Sequence, residues 1–132
     1  MNWRLFSGMV LCTCFLWSCK KTAGEGGQAT IKGKVWVEDW NAGFTIKNGE
    51  YAGADYDVYI IYGEDVSYGD KSKASYDGQF EFKYLRKGNY KVYVYSKDKT
   101  LNALSGDTVF VKNVTVSDRK ATIALETFTV YK

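Results

Sequence analysis

The 132-residue chain contains no histidine, and its three cysteines, Cys12, Cys14 and Cys19, all fall close to the N-terminus. The commonest general base and the usual transition-metal ligands are therefore missing from everything after Cys19. A Ser-His-Asp triad and a histidine- or cysteine-ligated zinc site are both excluded. The oxygen chemistry that is left rests on carboxylates such as Glu64, Asp65 and Asp70, which stand together in Glu64-Asp65-Val66-Ser67-Tyr68-Gly69-Asp70. Paired carboxylates can hydrolyse glycosides or hold calcium through oxygen ligands. This run lacks the alternating spacing of a calcium loop, so solvated loop acids are the expectation. No catalytic residue, metal or cofactor is expected, and the chain reads as a protein that is not an enzyme.

One residue does stand where covalent chemistry is expected. In Phe15-Leu16-Trp17-Ser18-Cys19-Lys20-Lys21 a thiol sits between an apolar run and two lysines. Arg4, the apolar stretch Leu5 to Trp17 and the small residue Ser18 follow the order of an export signal. The uncharged run is shorter than the roughly 20 residues that span a bilayer. Leu16-Trp17-Ser18-Cys19 resembles the bacterial lipobox, although Trp17 occupies a position where a small residue is usual. The resemblance implies cleavage after Ser18 and lipidation of Cys19, whose thiolate is nucleophilic enough to accept the lipid. Several acyl chains on one residue make a permanent membrane anchor. Residues 1–18 are then a lipoprotein signal peptide, and 19–28, rich in glycine and polar residues, a flexible tether. The implied location is the cell envelope, in the outer membrane of a Gram-negative bacterium, with the side it faces left open.

The elements that must carry any binding site begin at Ala29. Ile31, Gly33, Val35 and Val37 alternate with Lys32, Lys34 and Trp36, the period of a half-buried strand. Similar alternation recurs over Tyr56–Tyr62, Gln79–Tyr84, Asn89–Ser96, Thr108–Val116 and Ala121–Tyr131. Turn chemistry at Asn48-Gly49, Asp77-Gly78, Lys87-Gly88 and Ser117-Asp118 separates them. No helical periodicity intervenes. The pattern predicts an all-β fold: a single antiparallel, Greek-key-type β-sandwich of about seven strands over residues 29–132. Along the last strand Ile123 and Leu125 share one parity and Phe128 and Val130 the other, which predicts a bulge near Glu126-Thr127. Without a bulge, that strand could instead extend past the sandwich and offer its edge to a partner.

Parity also selects a candidate binding face. If Val92 and Val94 are core, Tyr93 and Tyr95 face outward; Tyr59 and Trp36 face outward by the same logic. On neighbouring strands Trp36, Tyr59, Tyr93 and Tyr95 would form one aromatic face for a protein or a sugar, unless residues 38–51, with Trp40 and Phe44, fold over it. The formal charge of +3 is spread among both signs, so no nucleic-acid partner is expected. The expected partners are the membrane, through Cys19, and an unidentified envelope protein or glycan.

The stretch Tyr76 to Ser96 resembles the central signature of the carboxypeptidase regulatory-like, or transthyretin-like, β-sandwich domain. The matching residues are Asp77-Gly78, Phe80 and Phe82, Leu85 and Gly88, then Tyr90, Val92 and Val94. Flanking strands agree, except that Glu38 to Tyr51 is longer than the family's usual loop and the proline common near its turns is absent. The resemblance implies a domain that performs no chemistry of its own. The expected function is a lipid-anchored envelope module for binding or structure. The alternatives are a small glycan-binding lipoprotein or a subunit contributing a strand to an envelope assembly.

Overall fold

The alternation of Ala29, Ile31, Val35 and Val37 belongs to one long strand, β1 (Glu25–Trp40), in the computed structural model, which describes residues 22–132. Eight more strands follow: β2 (Lys47–Ala52), β3 (Asp57–Tyr62), β4 (Asp70–Lys73), β5 (Gln79–Leu85), β6 (Gly88–Lys97), β7 (Asp107–Val116), β8 (Thr122–Ala124) and β9 (Phe128–Tyr131). The described residues contain no helix. They form two sheets facing one another, an all-β sandwich.

In the first sheet β1 is central. Its first half pairs with β5 on one edge and β8 on the other; its second half pairs with β2 and β9 in the same arrangement. The second sheet runs β4-β3-β6-β7 and is antiparallel throughout. β8 and β9 run parallel to β1, a departure from the purely antiparallel expectation. It arises because the chain crosses from β7 back to the first sheet at the end where β1 begins.

Other expectations change in detail. Of the residues expected to form a tether, 19–28, Glu25 to Gln28 lie in β1. Gly24 is locked further: its N–H donates to the Tyr90 hydroxyl at 2.9 Å and its carbonyl accepts from Arg86 N–H at 2.9 Å. Asn48-Gly49 lies inside β2 and makes no turn. Asp77-Gly78 does turn, but it carries the chain from the second sheet to the first between β4 and β5 and closes no hairpin. There Gly78 has φ +80°, and a Cβ would meet the Val35 carbonyl oxygen at 2.4 Å. Cys19 and the expected signal segment lie outside the described residues.

The core fills the space between the sheets with Ala29, Ile31, Val35 and Val37 from β1, Val58 and Ile60 from β3, Phe80, Phe82 and Leu85 from β5, Tyr90, Val92 and Val94 from β6, and Phe128 and Val130 from β9. Each fully buried aliphatic or aromatic side chain contributes about 1.5–3 kcal/mol. Gly33 is opposite Phe80, and a Cβ there would stand 2.6 Å from the ring. The break in alternation is resolved by an extra residue. Lys32 pairs with Ala124 and Val35 with Phe128, so four steps on one side match three on the other. This bulge keeps Phe128 and Val130 buried, and the last strand stays docked on β1 instead of extending beyond the sandwich.

Candidate functional site

Because opposite residues of an antiparallel pair share a face, the register of the second sheet defines its outward surface. Tyr59 on β3 is opposite Tyr93 on β6, which is opposite Val111 on β7; Tyr95 is opposite Val109. The inward neighbours Val58, Ile60, Val92 and Val94 are fully buried, which pins the parity. Three of the four residues expected on the aromatic face therefore meet.

Their rings touch. Tyr59 and Tyr93 are stacked, with centroids 5.0 Å apart and planes 12° from parallel. Tyr95 meets Tyr59 edge-on at 5.5 Å and Tyr93 at 5.8 Å. Tyr68, from the β3–β4 loop, adds a fourth ring 5.0 Å from Tyr59. Val109 and Val111 extend the surface toward β7 and remain 41% and 51% exposed, comparable to Tyr68 at 50% and Tyr95 at 51%. Burial among these rings pushes the Tyr93 hydroxyl above its ordinary pKa, with the neighbouring Tyr95 contributing. Lys71 is opposite Tyr59, and Lys91 is opposite Ile61 and Asn113, so cations stand around the aromatic centre. Asp57, on the same face, has a carboxylate oxygen buried without a hydrogen-bond partner.

Trp36 does not belong to this face. It lies on β1 in the opposite sheet, beside Thr129 and Ala52, with the Lys34 ammonium 5.5 Å from its ring. Parity gave its outward direction, but parity cannot say in which sheet a strand lies. Nor do residues 38–51 cover the tyrosines. They form the end of β1, a loop and β2, and Trp40 and Phe44 pack toward Tyr131, with Phe44 6.5 Å from Trp40 and 6.3 Å from Tyr131. Tyr68, Val109 and Val111 were not singled out by the sequence. The β-branched pair on β7 carried a usable signal, since Val109 and Val111 alternate with Phe110 and Lys112.

Glu64, Asp65 and Asp70 are exposed. Among the described residues no group of three or more acidic, cysteine or histidine side chains is placed to hold a metal.

No protein-family model matches the chain, and no curated protein matches it. Among solved structures it is similar to a "putative carbohydrate binding protein" from Pseudomonas aeruginosa, at 13% identity and a TM-score of 0.47, over 85% of this chain and 92% of that one. A similarity this distant says nothing of what this chain binds.

Proposed function

We propose that the protein is a non-catalytic binding module of the cell envelope, held to the membrane by lipid on Cys19, and that it docks a partner protein on the outward tyrosine face of its second sheet. One observation carries this reading: four tyrosines and two valines from three strands and a loop form a contiguous surface that no other described element covers. Contiguous apolar patches on a single chain mark interaction sites more often than scattered exposed residues do. The ring geometry favours a protein over a sugar. Tyr59 and Tyr93 cover each other and Tyr68 and Tyr95 crowd Tyr59, leaving edges and hydroxyls outward in place of open ring faces. Edges and hydroxyls with cations around them suit a protein surface, where tyrosine and arginine are the enriched contact residues.

The test replaces Tyr59, Tyr93 and Tyr95 together with Thr in the full chain. Co-purification with envelope proteins after reversible cross-linking should be lost while the far-ultraviolet spectrum and cooperative melting persist. Unchanged co-purification by a folded triple variant rules the face out.

A further inference from the structure

A second group of tyrosines, sharing Tyr95 with the outward face, lies at the end of the sandwich remote from Gly24. There Tyr51, Tyr56, Tyr95 and Tyr131 line a cavity of about 430 Å³ between the two sheets, together with Val37, Ser96, Lys97 and Asp107. That volume is within the range of about 300–1,000 Å³ typical of small-ligand sites. Chain direction fixes the location: β6 starts beside the Gly24 end at Gly88 and ends at Lys97, on the rim of the cavity.

The rings here differ from those of the outward face in one respect that matters chemically. Among the described residues, neither Tyr51 nor Tyr56 packs against another aromatic ring, whereas Tyr59 and Tyr93 are stacked on each other. Tyr51 is on β2, an edge strand, and is 42% exposed. Tyr56 is fixed, because its hydroxyl donates to the Tyr95 carbonyl. Burial and the negative charge of Asp107 raise the Tyr56 pKa, with Tyr51 also contributing, which agrees with the three groups surrounding one space. The floor is held by Ser96, whose Oγ accepts the Tyr131 N–H at 2.8 Å and so ties the two sheets together below the cavity. At the rim, Lys97 and Asp107 form a pair at 3.0 Å, both about half exposed. A donor beside an acceptor at that spacing matches two adjacent hydroxyl groups, one accepting from the ammonium and the other donating to the carboxylate. Because the pair is internally neutralised, it does not select an anion.

We infer that this cavity is a binding site for a neutral pyranose unit of a glycan, with Tyr51 as the stacking ring and Lys97 and Asp107 as the hydroxyl-reading pair. The apolar face of a pyranose needs a free ring face, and its rim needs paired donors and acceptors; the cavity supplies both. The cavity shares Tyr95 with the outward face, but the residues proposed to read the sugar, Tyr51, Lys97 and Asp107, lie outside that face, and the inference does not depend on a partner docking there.

Isothermal titration of the full chain, in a detergent without a sugar headgroup, with maltose, cellobiose, xylobiose, mannobiose and digalacturonate tests the inference. At least one neutral disaccharide should bind saturably. Tyr51→Phe should bind it within about threefold of the parent, and Tyr51→Ala about tenfold more weakly, as loss of a ring contact implies. Asp107→Asn should also weaken binding, and Lys83→Ala, on the exposed side of β5 and away from the cavity, should leave it unchanged. No saturable binding to any neutral sugar, binding to digalacturonate only, or equal binding by Tyr51→Ala and the parent overturns the assignment.

Discussion

Phe80 shows how much a single side chain holds in this fold. Its ring lies over Gly33 and packs at 6.0 Å against both Phe82 and Phe128, so it joins β1, β5 and β9. Phe80→Ala should cost about 3–5 kcal/mol, read as a lower denaturant midpoint at constant slope. An unchanged midpoint contradicts the packing. Asp98 acts differently. Its carboxylate accepts from the Thr100 N–H at 2.9 Å and hydroxyl at 2.6 Å, from Asn102 N–H at 3.0 Å and from Ala103 N–H at 2.7 Å, holding together the loop between β6 and β7. These bonds, led by the Thr100 hydroxyl and followed by Ala103 N–H, hold its pKa below the ordinary carboxylate value. A depressed folded pKa means that the stabilisation is complete above the unfolded value of about 3.9 and is lost as pH falls through the folded one. Asp98→Asn should therefore lower Tm at pH 7 and flatten its fall between pH 5 and about pH 2. A parallel pair of Tm–pH curves would refute that role. At this scale the sequence was informative where side chains alternate. Phe80, Phe82, Val92 and Val94 were all legible as core, because a period of two sends them to one side. Asp98 was not legible, since its partners are backbone groups brought to it by the loop.

Among the elements, the strands with a hydrophobic rhythm were readable and those without were not. β2, Lys47 to Ala52, and β4, Asp70 to Lys73, bury little and carry no alternation, so neither announced itself. Each is an edge strand held by its neighbour's backbone. Asn48-Gly49 misled for the same reason: a turn dipeptide is overridden when the adjacent strand supplies the hydrogen bonds. The final strand was readable even in its irregularity, because the parity change between Leu125 and Phe128 demanded an extra residue and the register supplies one. Deleting Glu126 should shift β9 by one residue and turn Phe128 and Val130 to solvent, at about 1.5–3 kcal/mol for each. Glu126→Ala should change stability by less than about 1 kcal/mol, since its contact with Lys112 is 3.9 Å and Glu126 is 94% exposed. Equal denaturant midpoints for the deletion and the substitution would contradict the bulge. Register also separates the candidate face into its true members. Tyr59, Tyr93 and Tyr95 meet because β3 and β6 are neighbours, and Trp36 is lost to the face because β1 belongs to the other sheet.

For the whole molecule, the polarity of the chain puts Gly24 and the tyrosine-lined cavity at opposite ends of the domain and the proposed docking face along one side. Gly24 is fixed at one end, and β6 covers roughly 30 Å from there to Lys97 at about 3.3 Å per residue. On the proposed anchoring at Cys19, the tyrosine-lined cavity points away from the membrane and the tyrosine face stands alongside it. Cys19→Ser should then give an unlipidated precursor that is not cleaved after Ser18, because a hydroxyl is a far poorer nucleophile than a thiolate. Labelled fatty acid retained by that variant would refute the anchor. The central claim is that the outward face of the second sheet meets a partner protein, and proximity in the intact cell tests it most directly. A photo-crosslinking amino acid placed at Val111, on that face, and separately at Lys83, exposed on the first sheet, reports which surface has a neighbour. A discrete cross-linked protein adduct from position 111, absent from position 83 and abolished by Tyr59→Thr with Tyr93→Thr, is the predicted result. An adduct from position 83 alone, or none from position 111 in a folded, exported chain, would contradict it.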